Sequence, residues 1–312
     1  MQTYAGAIAL VLLILYNVIF NASAFLTVNA IRVNLTQVAE IVIVAVGMTL
    51  VIATGGIDLS VGSMMAIAGV VAATILLSDV APWNVPYLGG ALAYVVPILV
   101  VAVFGAANAF LIANMRIQPI IATLILFISG RGIAQVIVGG RLQSFREPEW
   151  QVIGQGRVLG IPVQAIIMIV IVAVAAWVLA RTAFGRYVLA VGGNEEASRL
   201  AGVPVTRVKY AVYIISAMLA GLAGLISIAI NSAADPANIG RNMELSAIAA
   251  VAVGGTSLLG GRATIVGTLI GSLIIQLTTY TLLTEGLTDA WVRVVTAAAI
   301  LAAVLIQRRS TR

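Results

Sequence analysis

Asp58 stands in the run GMTLVIATGGIDLSVGSMMAIAGVV, from Gly47 to Val71, with almost purely apolar residues on both sides. A carboxyl group at membrane depth is costly unless it faces protein, water or a partner. With Ser60 beside it, the pair offers an acceptor and a donor-acceptor to the hydroxyl groups of a polar solute. Gly55 and Gly56 come just before, where a helix can break and free backbone groups to line a cavity. The competing role is structural, because Asp58 can cap a helix beginning near Leu59 or accept from N–H groups freed at the break. The chemistry on offer is the binding and passage of a polar solute.

Arg131 is a second charged residue inside an apolar segment, and Gln135 lies one turn beyond it on the same helical face. The guanidinium can pair with an acid such as Asp58, hydrogen-bond a solute, or reach for the headgroups; a structural ion pair or the headgroup position is the expectation. Asn108, Gln118, Asn231 and Gln276 are further candidates for a polar pathway, though such residues more often bond one helix to another than contact a solute. No catalytic or metal site is read from the chain. It has no cysteine and no histidine, which removes thiolate nucleophiles, the commonest zinc ligands and the usual general base.

These residues have to be positioned by helices in a bilayer. Of 312 residues, 62% are hydrophobic and 9% charged, against about 25% charged in soluble proteins. Apolar runs predict spans near Tyr4–Phe20, Val38–Thr54, Val61–Leu77, Leu88–Ala113, Ile117–Val138, Val163–Ala180, Val208–Ile230, Leu245–Leu259, Thr264–Leu283 and Trp291–Ile306. The expectation is an all-α polytopic protein, one domain over residues 1–312, with about ten spans. Several are shorter than the roughly 20 residues of a straight crossing, so eight remain possible, with broken helices near Gly55–Gly56 and Gly254–Gly255. If both termini are cytoplasmic, ten basic residues fall inside (Arg116, Arg181, Arg186, Arg199, Arg207, Lys209, Arg262, Arg308, Arg309, Arg312) and five outside (Arg32, Arg141, Arg146, Arg157, Arg241). That bias supports the orientation, and it accounts for the net charge of +6 without any nucleic-acid partner. Residues Ala5–Phe20 followed by Ala22, Ser23 and Ala24 resemble a signal peptide, but no basic residue precedes Arg32; retention as a first span is expected.

Between two spans, Phe184–Tyr210 reads as a long basic connector. Within it Glu195–Ala201 is predicted to be a short helix, with Asn194 at its N-cap, acids in its first turn and Gly202 ending it, before Pro204. Such a helix is a lever for a soluble partner, or an ordinary basic loop near anionic lipid. Gly55, Gly56, Leu59 and Gly62 recur in spacing as Gly254, Gly255, Leu258 and Gly261, which sets Ser257 opposite Asp58; paired glycine interruptions point to a binding region. Small residues at Ala66, Gly69 and Ala73, at Ala217, Gly221 and Gly224, and at Gly267 and Gly271 predict close internal helix packing.

Taken together, GMTLVIATGGIDLSVG, GRYVLAVGGNEEASRLAG and VGGTSLLGGRATIVGTLIG resemble the permease subunit of bacterial ABC importers for monosaccharides, of the ribose, arabinose and galactose type. The similarity runs from about Gln37 to Gln307, in the same order, and RIQPIIATLILFISGRGIAQVI, Arg116–Ile137, is similar to galactofuranose permeases. The front departs from the family, whose members often carry a longer basic tail. The resemblance implies a multi-pass protein of the bacterial inner membrane. Its implied partners are a periplasmic sugar-binding protein, a second permease chain in a homo- or heterodimer, and a cytoplasmic ABC ATPase that binds ATP and Mg. It also implies that Gly192, Gly193, Asn194, Glu195, Ala197 and Gly202 couple to that ATPase, within a cytoplasmic loop over residues 181–209. No G-x-x-x-x-G-K-[ST] phosphate loop occurs in the chain, so no cofactor of its own is expected. Two other classes compete: an ion-coupled secondary transporter using Asp58, and an intramembrane enzyme on lipid-linked sugars, which would need clustered acids or a metal.

Overall fold

The computed structural model describes residues 2–80, 85, 87–288, 290–292, 294, 295, 297 and 298. In chain order the helices are α1 Gln2–Phe20, α2 Ala22–Phe25, α3 Val28–Ala53, α4 Val61–Leu76, α5 Leu88–Ala113, α6 Pro119–Ile137, α7 Val152–Gln155, α8 Val163–Arg181, α9 Ala183–Gly193, α10 Glu195–Leu200, α11 Val205–Asn231, α12 Met243–Val253 and α13 Ile265–Thr284. Six of them, α3, α5, α6, α8, α11 and α13, are long and apolar enough to cross a membrane, and α4, α12 and the apolar part of α1 are shorter. The protein is an all-α, multi-pass membrane protein. The Trp291–Ile306 span lies largely outside the described residues.

Burial sorts the helices. α11 packs along α3, α4 and α5 to form the centre, α12 and α13 pack on each other and on α3, and α6 and α8 flank α4 and α3. Gly221 and Gly224 of α11 leave room for Val101 and Met65, and Gly271 of α13 lies against the Ala250 carbonyl of α12. The small-residue stripes therefore serve internal crossings. Large apolar side chains left outside, such as Val103, Ile128, Val136 and Trp177, suit a hydrocarbon surround.

Two-residue strands tie the loops at one end: β1 Gln143–Ser144 pairs antiparallel with β4 Ala233–Ala234, and β2 Arg157–Val158 with β3 Ile161–Pro162. At the opposite end lie α9, α10 and the α12–α13 turn. α3 and α12 arrive there with the same ending. Gly56 N donates to Val51 O and Gly55 N to Ile52 O; Thr256 N donates to Val251 O and Gly255 N to Ala252 O. Gly55 and Gly255 take φ +81° and +85°, the left-handed position that closes this cap. The two caps therefore correspond as Gly55 with Gly255, one residue out of step with the spacing read from the glycines. Asp58 does not stand opposite Ser257.

Two other elements differ from the sequence expectation. α3 begins at Val28 rather than Val38, capped by Thr27, whose side chain accepts from Ala30 N at 3.0 Å. Its first turns carry Asn29, Arg32, Asn34, Thr36 and Gln37, which interrupt the apolar run without interrupting the helix. Part of the Phe184–Tyr210 connector is α9, whose N-cap Thr182 accepts from Gly185 N at 3.2 Å and which buries Val188 and Val191.

Candidate functional site

Asp58 lies in the break between α3 and α4 and is 1% exposed. Its Oδ1 accepts from Ser60 N at 3.0 Å and from Ser60 Oγ at 2.6 Å, and its Oδ2 accepts from Ser216 Oγ of α11 at 3.0 Å. Asn108 of α5 donates to Ser60 Oγ at 3.0 Å. Thr123 of α6 accepts from Leu59 N at 3.1 Å, and Ser63 donates to Leu126 O of α6 at 2.9 Å. The break is thus tied to three neighbouring helices, to α6 through its backbone and to α5 and α11 through its side chains, and irregular backbone buried in protein in this way is what a bilayer tolerates. The Tyr213 hydroxyl of α11 fills the place a side chain at Gly56 would need, and it has no partner among the described residues. Asn108 Oδ1 is likewise buried and unpartnered among them.

Arg131 belongs to a second cluster. Its guanidinium donates to the carbonyls of Pro236 (3.1 Å), Ile239 and Gly62 (3.4 Å), with Glu244 of α12 nearby. It neither pairs with Asp58 nor reaches for the headgroups; it holds the irregular segment 232–242 against the start of α4. Inside that segment Asp235 accepts from Ala237 N at 2.9 Å and from Asn238 Nδ2 at 2.7 Å. Glu244 Oε2 is buried, without a partner among the described residues, where a side chain at Gly62 would collide with it. Arg131→Met keeps the apolar stem and leaves the carbonyls unpaired, so a loss of about 2 kcal/mol is expected. Hydrogen exchange at residues 237–242 should accelerate; unchanged protection there would show that the guanidinium does not hold the segment.

The other sequence candidates scatter. Gln135 and Gln118 are exposed. Asn231 is exposed at the C-terminus of α11, donates to Ser227 O at 2.8 Å, and lines a cleft with Gln151, Gln155 and Ser232. Gln276 is buried and donates to Gln37 Oε1 at 2.6 Å. Ser257 lies in the α12–α13 turn, where its N–H donates to Arg262 O at 3.1 Å. Ser216, Tyr213, Glu244 and Glu40 were missed by the sequence reading. Tyr213 and Ser216 are three apart on one face of α11, a polar pair in an apolar stretch, and Glu40 is an acid inside the segment that starts at Val38; both signals were present in the sequence.

At the far end, α10 forms as expected. Asn194 caps it by accepting from Ala197 N at 2.9 Å, and Gly202 N and Val203 N close it on Arg199 O and Ser198 O, with Gly202 at φ +80°. Glu195 pairs with Arg199 at 3.2 Å and with Lys209 of α11 at 2.7 Å, while Leu200 stays 82% exposed. Beneath α10, Gly192 is seated directly on backbone: a Cβ there would overlap the Ala53 carbonyl and lie 2.6 Å from Gly261 N. Gly261 N itself donates to Ala53 O at 3.1 Å. The connector therefore meets the ends of α3 and of the α12–α13 turn without intervening side chains.

Comparison with known proteins gives the class. A family model described as the permease component of branched-chain amino acid transport systems matches residues 30–304, and the chain belongs to that family of inner-membrane permeases. A permease component is one part of a transport system, so this chain works with others. It is similar to the ribose import permease protein RbsC of Escherichia coli strain K12, 40% identical over 91% of this chain and 87% of the relative. It is also similar to the galactofuranose transporter permease protein YtfT of the same strain (38%, covering 88% and 78%) and the fructose import permease protein FruF of Bifidobacterium longum (38%, covering 81% and 70%). No solved structure matches it.

Proposed function

We propose that this chain is the permease subunit of an ATP-driven ABC importer that carries a monosaccharide, a pentose or hexose such as galactofuranose, into the cytoplasm by alternating access. Relatives named for ribose, galactofuranose and fructose support the cargo class. The observation that carries the mechanism is the backbone seat of Gly192 between Ala53 and Gly261, which links the α10 end to both glycine-capped breaks. In this reading the whole chain is one membrane domain. The six long helices, the three shorter apolar ones and Trp291–Ile306 make ten spans, and both termini face the cytoplasm. Residues 181–209 dock on a cytoplasmic ABC ATPase through Gly192, Gly193, Asn194, Glu195, Ala197 and Gly202. ATP and Mg belong to that partner, a periplasmic binding protein delivers the sugar, and a second permease chain completes the pathway. Gly55, Gly56, Asp58, Ser60 and Asn108 form its inner part, with Arg131, Gln135, Asn231 and Ser257 assigned to it from sequence.

The test is reconstitution with the ATPase and the binding protein, followed by uptake of D-ribose, D-galactose and D-fructose. Uptake that proceeds without the ATPase on an ion gradient overturns the reading. A local variant sharpens it. Gly202→Trp adds bulk where a Cβ meets nothing within 4 Å among the described residues beyond its chain neighbours, at a cost of about 1–2 kcal/mol for the left-handed backbone. Insertion should survive while copurifying ATPase and sugar-stimulated hydrolysis fall; unimpaired hydrolysis counts against this docking surface.

A further inference from the structure

The end of the molecule opposite α10 carries a second polar feature that the Asp58 network does not use. A cleft of about 480 Å³ opens between the first turns of α3, α7, the start of α8 and the β2–β3 hairpin, a size typical of the roughly 300–1,000 Å³ of small-molecule sites. Asn29, Thr36, Gln37, Gln155 and Gln164 line it with Arg157 and with Arg32, whose Nε donates to Gly160 O at 3.2 Å, and among the described residues no acidic side chain does. Amide and hydroxyl groups both donate and accept, as sugar hydroxyls do.

One wall group is left waiting. Gln164 is 2% exposed. Its Nε2 is spent on Thr36 Oγ1 at 2.9 Å and on Gly154 O at 3.0 Å, which fixes the amide, and its Oε1 has no partner among the described residues. A buried acceptor without a donor is costly and calls for a ligand or water. The polarity also continues inward. Gln276 of α13 bonds Gln37 and Asn34, and Glu40, one helical turn beyond Thr36, lies beside Ser227 of α11. A helix facing lipid would not carry such a stripe. The neighbouring cleft with Arg146, Asn231 and Ser232 shares Gln155 and Gly156 with this one, so the two lie side by side at this end.

We infer that the Thr36–Gln37–Gln164 cleft binds a neutral polyhydroxylated solute at the outer mouth of the pathway, and that the α3 stripe through Glu40 leads it inward. This rests on the reading of the chain as a sugar permease. Because the chain has no cysteine, a single Gln37→Cys substitution gives this subunit a unique thiol, whose labelling is read on the permease band of the complete importer in right-side-out vesicles. A membrane-impermeant maleimide should react with it, D-ribose with the binding protein should slow that reaction, and the labelled importer should lose D-ribose uptake. Should Gln37→Cys itself stop uptake, Val33→Cys at the rim, one turn outward, carries the same test. A thiol that does not react, or one whose labelling leaves uptake unchanged, overturns the inference. Gln164→Leu should raise the D-ribose concentration for half-maximal uptake about tenfold, the loss of one hydrogen bond; no change counts against the cleft. If the unsubstituted importer moves none of D-ribose, D-galactose, D-fructose and galactofuranose, the permease reading itself falls and the cleft assignment falls with it.

Discussion

Gly192→Val is expected to abolish transport by the assembled importer. Any side chain at Gly192 must displace either the Ala53 carbonyl at the end of α3 or the Gly261 amide in the α12–α13 turn. Neither is a flexible side-chain tip. Overpacking usually costs about 1–3 kcal/mol, and against fixed backbone the upper figure applies, roughly a 100-fold shift in the population of the packed state. The neighbouring residue provides the control: a Cβ at Gly193 meets nothing within 4 Å among the described residues, so Gly193→Ala should leave the melting temperature of the purified chain unchanged. Thermal unfolding in detergent, read beside sugar uptake, separates the two. Equal stability and uptake for Gly192→Val and the parent would show that the joint is not tight.

A comparable loss is expected at Asp58, and it depends on what replaces the carboxyl. Asp58→Ala strands the Ser60 N–H, the Ser60 hydroxyl and the Ser216 hydroxyl in the interior. With each unsatisfied group costing about 1–3 kcal/mol, a total of about 3 kcal/mol or more is expected. Asp58→Asn keeps an acceptor for both Ser60 donors, and the Ser216 hydroxyl can turn to accept from the new amide, so the loss should be about 1 kcal/mol. Melting temperature and uptake of both variants decide the role of the charge. If Asn behaves as the parent, the carboxyl acts as a hydrogen-bonding clamp; if Asn stays folded and transport stops, the negative charge itself is used. A stable Ala variant would show that the network does not hold the break.

Much of this was legible along the chain, where local physics is decisive. Leu88–Ala113 has the same bounds as a hydrophobic run and as α5, because nothing polar blurs its ends. The Asn194-to-Gly202 helix follows from its caps alone. Where polar residues enter a span, hydropathy misleads: the first turns of α3 were hidden for that reason. Missing α9 had another cause, since its apolar stripe Phe184, Val188 and Val191 is short and sits in a basic segment. The partners of Asp58 were illegible in principle. Ser216 lies 158 residues away, and the spacing of residues carries no record of which helix is the neighbour. The glycine repeat was seen, but its register was set by cap hydrogen bonds and so came out one residue different.

The shortness of α12 has a further consequence. Its 11 residues rise about 16 Å, near half of the roughly 30 Å hydrocarbon core. The rest of that depth is taken up by segment 232–242, which Arg131 pins in place. This crossing is thus completed by irregular backbone held through the bonds of one guanidinium in place of a continuous helical ladder, which makes it a stretch of low local stability in an otherwise helical bundle.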